Sequence, residues 1–234
     1  MKYLKFILLF NILMSFSANA LLEVNILKSK EAAFPIVIAP FEVIGDSNKN
    51  IDIAKIIRDN LNRSGQFSAL STDALVTNQI DFNFWKEHKK DAVVFGKVEQ
   101  ISPKVYNIYI YIYDVFSEKS LYQKKITVSN SGFRRMAHFL SDKIYYVLLG
   151  QKGSFNTRLS YVTVTDNDSG GRTYRLQISD SDGENPQTIV RQSNPILSPA
   201  WSKDQQKLAY VSFKNNRSEV FVITPFLKTI PIKL

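Results

Sequence analysis

LSPAWSKDQQKLAYV, residues 197–211, is the stretch that decides the fold of the C-terminal part of this chain. On either side of it the sequence repeats itself. Residues 158–164 (RLSYVTV) are echoed 49 positions later by residues 207–213 (KLAYVSF), and residues 174–179 (YRLQIS) are echoed 45 positions later by residues 219–224 (EVFVIT). A period of about 40–50 residues with four short strands per unit is typical of β-propeller blades. The sequence therefore predicts an all-β region built from blade repeats.

The region before these repeats shows a different pattern, in which strands and helices alternate. Residues 35–41 (PIVIAPF) and 92–98 form continuous apolar runs, which are typical of strands buried on both faces. Residues 105–113 alternate, with isoleucines at 108, 110 and 112 on one face and tyrosines at 109, 111 and 113 on the other. This order predicts a sheet of about five strands.

Helices are predicted at three places in the same region. Asp52 is a plausible N-cap for a helix that ends before Gly65, because isoleucines and a leucine follow it at helical spacing. Residues 82–89 favour a short helix with Trp85 facing inward, and a long apolar stripe from Phe133 ends at Gly150. We expect these helices on one side of the sheet.

The predicted fold class is therefore α+β, with two parts after a leader. Residues 21–150 form a mixed α/β sheet domain, and residues 151–234 form an incomplete β-propeller that holds a first blade and the start of the next repeat. The boundary lies where helical spacing disappears from the sequence.

Residues 1–20 have the three zones of a cleavable export signal. Lys2 and Lys5 precede a short apolar core, and an Ala-x-Ala site predicts cleavage between Ala20 and Leu21. The core is far shorter than the roughly 20 apolar residues that span a bilayer, and we expect no transmembrane segment in the mature chain. Export and the absence of cysteine fit the periplasm. The net charge of +9 is spread in short pairs, and export argues against a nucleic-acid partner.

Several stretches, taken in order, resemble the TolB family, the periplasmic component of the Tol-Pal envelope system. Residues 197–204 and 207–211 resemble its LSPAWSPDG…KLAYV element, with Lys203 in place of the usual proline. Residues 180–183 resemble its SDxDG turn, residues 61–67 its LRNSGKF helix end, and residues 91–98 its DAVVVGQV strand. The propeller motif residues carried by the resemblance are Ser198, Pro199, Ala200, Trp201, Ser202 and Asp204.

The resemblance implies a non-enzymatic interaction protein that links TolA at the inner membrane to the lipoprotein Pal at the outer membrane. It implies a role in outer-membrane integrity and in invagination during cell division. TolA would contact the N-terminal extension at Leu22, Val24 and Ile26, where apolar and polar residues alternate. Pal would contact the propeller, which in the family has six blades. The sequence holds about one, so we expect a truncated chain that has lost most of the Pal surface.

A blade without neighbours leads to further expectations. Trp201, Tyr210 and Phe221 are expected on surfaces meant for absent blades, and residues 219–223 on an open sheet edge. We also expect proteases to cut after about Lys152 and to leave a resistant N-terminal core.

Enzyme chemistry is the main alternative to an interaction protein. Asp168, Ser169 and Gly170 match the nucleophile loop of trypsin-like proteases, but neither His88 nor His138 has the surroundings of a triad base, and a turn is favoured. Residues 180–183 lack the ligand spacing of a calcium loop, and the tyrosine ladder is typical of a half-exposed sheet face. We expect no catalytic residue, metal or cofactor. A fragment of a secreted propeller-bearing hydrolase and a stand-alone periplasmic adaptor domain stay open as alternatives.

Overall fold

The computed structural model describes residues 33–45, 52–73, 76, 79–166, 170–227 and 229–234. Within it, residues 33–234 form one compact unit. Three helices are described: α1 (Ile53–Arg63), α2 (Phe82–Glu87) and α3 (Phe133–Leu149). The strands are β1 (Phe34–Ile38), β2 (Glu42–Ile44), β3 (Phe67–Leu70), β4 (Ala92–Ser102), β5 (Val105–Asp114), β6 (Ser120–Ser129), β7 (Arg158–Asp166), β8 (Arg172–Asp180), β9 (Gln187–Gln192), β10 (Ile196–Trp201), β11 (Leu208–Ser212), β12 (Glu219–Ile223) and β13 (Ile232–Lys233).

The N-terminal part is built on a mixed six-stranded sheet of order β3-β1-β4-β5-β6, with β2 paired to β4 beyond the end of β1. Strands β1, β2, β3 and β4 pair in parallel, and β4, β5 and β6 pair antiparallel. The extra strand relative to the expected five is β2. It has only three residues, all of them exposed, so no buried run in the sequence marks it.

The two longer helices begin and end where their sequences predict. The Asp52 side chain accepts a hydrogen bond from the Lys55 backbone N–H at 2.9 Å, which caps α1. Helix α3 ends at Gly150, whose φ of 70° is the left-handed conformation that glycine adopts at little cost.

Both faces of the sheet are covered, which corrects the expectation that the helices lie on one side. Ile36 and Ile38 of β1 belong to a core cluster that includes residues of α1 and α3. Val37 and Ala39 point the other way, into a second cluster with Trp85 of α2. Because side chains alternate along a strand, the unbroken apolar run of β1 requires cover on both faces, and α2 supplies part of it.

The C-terminal part contains strands and no α-helix among its described residues, which confirms the predicted fold class. Strands β7, β8 and β9 form an antiparallel three-stranded sheet, and β10 to β13 form an antiparallel four-stranded sheet. The sequence echo maps onto equivalent places: β7 corresponds to β11, and β8 to β12. The second copy of the echo therefore lies in a sheet of four strands.

Two expectations about exposed blade surfaces are wrong. Tyr210 is only 3% exposed, because it lies in a cluster that joins residues of both C-terminal sheets, with Leu176 and Ile178 from one and Leu208 and Ile223 from the other. Trp201 and Phe221 are half-buried against this cluster. Strand β12 is not an open edge either, since β11 pairs with one side of it and β13 with the other.

Candidate functional site

The main polar cluster of the described chain lies where α1 and α3 meet the turn after β8. We call Asn60, Arg134, His138, Asp180 and Asp182 the junction network. Arg134 and His138 are four residues apart and so share one face of α3. Asp180 ends β8, and Asp182 lies in the following turn, which is tightened by Gly183 at a φ of 89°. The network thus connects the N-terminal domain to the first blade-like sheet.

Arg134 forms ion pairs with both carboxylates of the junction network. Its Nε donates to Asp180 Oδ2 at 2.9 Å, and its terminal nitrogen donates to Asp182 Oδ2. Burial by itself lowers the pKa of Arg134, but the two carboxylates more than offset this effect and raise it. Burial likewise acts to raise the pKa of Asp182. The hydrogen bonds from Arg134 and from the Glu184 backbone N–H, together with the positive charge of Arg134, outweigh this effect and lower that pKa. Arg134 and Asp182 are therefore charged at neutral pH.

Hydrogen bonds fix the proton position on His138, whose ring is buried. Arg63 donates to Asn60 Oδ1 at 2.9 Å, so the Asn60 amide nitrogen must face the other way. That nitrogen donates to His138 Nδ1 and to Ser141 Oγ, each at 2.9 Å. With Nδ1 as an acceptor, the neutral ring carries its proton on Nε2. Burial lowers the pKa of His138 and keeps it neutral.

Among the described residues, one group has a spacing that could hold a metal ion, and it consists of His138, Asp180 and Asp182. Nε2 lies 3.7 Å from Asp182 Oδ2 and 3.9 Å from Asp180 Oδ2, and no described group accepts its proton. Two features do not fit a cation. Nε2 presents a proton and not a lone pair, and the Arg134 guanidinium already occupies both carboxylates. The arrangement suits a structural contact between domains.

The link between the two parts is also held by polar contacts. Asp142 of α3 accepts hydrogen bonds from the backbone N–H groups of Phe155 at 2.7 Å and Asn156 at 3.1 Å. The Ser181 hydroxyl donates to the Phe155 carbonyl oxygen, and the Phe155 ring is buried in the N-terminal core. The segment from Gly150 to β7 is therefore tied to α3 on one side and to the turn after β8 on the other.

The predicted propeller motif residues lie together at the end of β10 and in the turn that follows. Ser198 has a φ of 50° and sits at an irregularity in the pairing of β10 with β11, next to Pro199 and Ala200. The Ser202 hydroxyl accepts from the Lys207 backbone N–H at 2.9 Å, and Asp204 Oδ1 accepts from the Gln206 backbone N–H at 3.0 Å. These contacts close the hairpin between β10 and β11.

Trp201, the remaining motif residue, has a different environment. Its ring packs against the cluster that joins the two C-terminal sheets and stacks on Phe226, with centroids 6.1 Å apart and an interplanar angle of 7°. The motif residues thus have structural roles: they form the irregularity in β10, close the turn after it and pack the Trp201 ring.

Other predicted residues lie outside the described part of the chain. These are Ala20 and Leu21 at the cleavage site, the alternating residues Leu22, Val24 and Ile26, and the protease-like pair Asp168 and Ser169. His88 belongs to the described residues and lies at the end of α2. Its Nδ1 is hydrogen-bonded to the Phe84 carbonyl oxygen.

The tyrosine ladder of β5 is a packed surface. Phe95 stacks on Tyr111 with centroids 4.9 Å apart, and Tyr109 donates to Glu99 at 2.9 Å. Lysines 97 and 125 lie within 6 Å of the Tyr109 ring, as cation–π contacts at 4.5 and 5.6 Å. The ladder is half-buried, as the sequence predicts.

Sequence reasoning missed the junction network because its hydrogen bonds join residues that are up to 78 positions apart in the sequence. The spacing of Arg134 and His138 and the Asp-x-Asp turn are visible in the sequence. Their pairing depends on how the two parts pack, which no local pattern encodes.

An α/β domain on a mixed sheet, followed directly by blade-like antiparallel sheets, defines the class of proteins that join a globular domain to a β-propeller. Two family models match the chain in that order: the TolB amino-terminal domain over residues 22–121 and the TolB beta propeller domain over residues 145–229. Together with the relatives described next, these matches show that the chain belongs to the TolB family.

The relatives are named Tol-Pal system protein TolB. The one from Ruthia magnifica is 57% identical over 93% of this chain, and the one from Vesicomyosocius okutanii is 53% identical over 89%. The crystal structure of TolB from Acinetobacter baumannii superposes with a TM-score of 0.73 at 32% identity, over 86% of this chain and 49% of that one. The chain spans about half the length of the curated relatives it matches, 51% and 49% for these two. Among the described residues, no helix is long and apolar enough to cross a membrane.

Proposed function

We propose that this chain is a component of the Tol-Pal system and acts there as a non-enzymatic periplasmic interaction protein. The observation that carries the proposal is the ordered match to both TolB family models, together with relatives that bear the Tol-Pal name. The export signal in residues 1–20 supports the periplasmic location. The partners are TolA at the inner membrane and Pal at the outer membrane, and the role is outer-membrane integrity and invagination during division.

TolA contact is assigned to Leu22, Val24 and Ile26. These apolar residues alternate with polar ones, and a sequence with this alternation is suited to binding as a strand added to a partner's sheet edge, with alternate side chains in pockets. Backbone hydrogen bonds then give affinity, and the three apolar side chains give specificity.

The test is co-purification with TolA after replacing Leu22, Val24 and Ile26 by alanine. We expect binding to be lost, because the side chains that fill the pockets are removed. The matched control replaces Glu23 and Asn25 by alanine, which changes the same segment on its other face and should leave binding unchanged. Equal binding by both variants contradicts the assignment, and circular dichroism checks that both are folded.

Pal contact is assigned to the propeller part. Titration of the chain with purified Pal tests this assignment, and the absence of saturable binding contradicts it. The non-enzymatic assignment is tested by a peptidase screen, in which an activity abolished by Ser169→Ala overturns it.

A further inference from the structure

A cavity of about 420 Å³ opens between the start of α3 and the first blade-like sheet, next to the junction network. This volume is in the range of cavities that bind small molecules. Its walls come from four segments of the chain: the N-terminus of α3, β7, the end of β8 with the turn after it, and the short 3-10 turn that contains Phe226. The charged side chains that line it are Arg134, Arg135, Arg158 and Asp180.

Arg158 is the most unusual of these groups. Its guanidinium lies over the Phe226 ring, 4.1 Å from the centroid, and the residue is only partly exposed. No carboxylate among the described residues lies within ion-pair distance of it. Burial lowers the pKa of Arg158, and the positive charge of Arg135 lowers it further. A guanidinium that is partly desolvated beside a second cation, without an anion in contact, is an unfavourable arrangement on its own.

The acidic group of the cavity compensates this charge only in part: the negative charge of Asp180 raises the pKa of Arg158 but does not outweigh the effects of burial and Arg135. Asp180 Oδ2 already accepts hydrogen bonds from Arg134 Nε at 2.9 Å and from Asn185 Nδ2 at 2.8 Å. Asp182, outside the cavity lining, also pairs with Arg134. The carboxylates are thus committed to Arg134, and Arg135 and Arg158 leave the cavity with unneutralised positive charge.

The neutral donors of the wall add to this character. Ser131 lines the cavity just before α3, and its hydroxyl oxygen lies 3.1 Å from the Ser129 hydroxyl oxygen, where either group can donate. Gly132, the residue at the N-cap position of α3, supplies no side-chain cap for the first backbone N–H groups of this 17-residue helix. The positive end of a helix dipole favours negative charge nearby.

We propose that this cavity binds an oxyanion of the phosphate type, held by the guanidinium groups of Arg135 and Arg158 with Ser131 as a neutral donor. Arginine is suited to this ligand because its planar fork donates two parallel hydrogen bonds to a pair of oxygen atoms. The ligand would bridge α3 and β7, so its binding would reinforce the contact between the N-terminal domain and the first blade-like sheet. The phosphate group could belong to a soluble compound or to a lipid headgroup.

The first arm of the test is isothermal titration of the full chain with inorganic phosphate, with chloride at equal ionic strength as the reference. We expect saturable binding of phosphate only. Arg158→Met removes the charge but keeps an apolar side chain over Phe226, and we expect it to weaken binding by at least about tenfold. Arg135→Gln should weaken binding to a similar degree and, being exposed, is not expected to disturb folding. The matched control is Arg172→Gln, an exposed arginine of β8 that pairs with Asp166 away from the cavity.

The second arm identifies the source of the phosphate group. Flotation with vesicles of phosphatidylglycerol, compared with phosphatidylcholine, measures lipid binding of the same four proteins. Arginine-dependent binding in the vesicle arm alone assigns the site to a lipid headgroup, and binding in the titration assigns it to soluble phosphate. The proposal is overturned if neither arm shows binding, or if Arg135→Gln and Arg172→Gln behave alike. The second criterion holds even if Arg158→Met fails to fold.

Discussion

Glu219 of β12 shows how one carboxylate can hold a strand in place. Its side chain is only 4% exposed and accepts hydrogen bonds of 2.8 Å from Lys233 Nζ, Asn215 Nδ2 and Arg217 Nε. The hydrogen bond from Lys233 is the largest of the effects that lower its pKa, which falls to about 2. Lys233 belongs to β13, so this contact fastens the last described strand to β12.

We predict that the stability contributed by Glu219 depends on acidity. Because the folded pKa of about 2 lies below the ordinary value of 4.5, the unfolded chain takes up a proton first as the pH falls. The contribution is therefore complete above about pH 4.5 and is lost progressively towards pH 2. Glu219→Gln should lower the melting temperature at pH 6, and the difference from the original chain should shrink at pH 3.

The control for this prediction is Glu87→Gln, which changes an exposed glutamate at the end of α2. Its melting temperature should follow that of the original chain at every pH. A Glu219→Gln difference that stays constant from pH 6 to pH 3 contradicts the assignment.

Gly96 of β4 is required by a close approach of two neighbours. A Cβ atom at this position would lie 2.2 Å from the Tyr109 carbonyl oxygen and 2.3 Å from Phe41 Cε1. The first of these is backbone of the adjacent strand, which cannot move without breaking the ladder between β4 and β5.

We predict that Gly96→Ala destabilises the chain by about 3 kcal/mol, the upper part of the usual range for overpacking. Urea unfolding measures the effect. Combining Gly96→Ala with Phe41→Leu removes only the ring contact, so the double variant should not recover the stability of Phe41→Leu alone. Lys97→Ala, one position along the strand, should have a small effect, and an equal loss would show that the steric argument is wrong.

At the scale of elements, α3 serves two parts of the molecule at once. One face supplies Ala137, Leu140 and Ile144 to the core of the N-terminal domain. Arg134 and His138, near its start, contact the turn after β8. Because α3 packs into the core on one side and forms ion pairs on the other, it fixes the position of the N-terminal domain relative to the first blade-like sheet.

We predict that Arg134 and Asp182 are coupled by about 1–3 kcal/mol, as expected for a partly buried charge-assisted hydrogen bond. The measurement is a double-mutant cycle with Arg134→Met and Asp182→Asn, read by urea unfolding. Arg134→Met leaves Asp182 without its counter-charge, and Asp182→Asn leaves Arg134 paired with Asp180 alone, so the double variant should be more stable than the sum of the single losses implies. Lys55→Met with Asp59→Asn, an exposed pair on α1, is the matched control and should show coupling below about 0.5 kcal/mol. Equal coupling in both pairs contradicts the prediction.

The sequence predicts most of the helices and strands, but it does not predict which of them pack against each other. Asp52 and Gly150 mark helix ends by local chemistry, and the alternation in β5 is a local pattern, so each was read correctly from the sequence. The sequence does not predict the burial of Tyr210, because that burial depends on contact between residues of two separate sheets. It does not predict the junction network for the same reason, since a salt bridge between α3 and the turn after β8 leaves no periodic signal.

At the scale of the whole molecule, the segment that links the two parts determines how susceptible the folded chain is to proteolysis. The sequence alone predicts cleavage after about Lys152. The structure favours protection, because Asp142 holds the backbone of Phe155 and Asn156, and Phe155 is buried. Proteases require a locally unfolded segment, and these contacts must break before one can form.

We predict that trypsin cuts the folded chain slowly at Lys152 and that Asp142→Ala accelerates this cut by about tenfold. That factor corresponds to losing about 1.4 kcal/mol, the size of a charge-assisted hydrogen bond. The measurement is the rate of appearance of the fragment that ends at Lys152. Asp59→Ala on the surface of α1 should leave the rate unchanged. Rapid cleavage of the original chain at Lys152 restores the sequence-based expectation and contradicts this one.

Strand β6 has a further consequence for how copies of the chain behave in concentrated solution. It is ten residues long and pairs with β5 alone among the described strands, so its outer side presents unpaired amide and carbonyl groups. Such an edge is a template for growth into fibrils. Lys124 and Lys125 lie in the middle of the strand, with side chains on opposite faces, and any second copy aligned there would bring like charges together. The positive charge of these two lysines therefore opposes edge-to-edge aggregation in concentrated solution. Acetylation of both lysines would remove this repulsion.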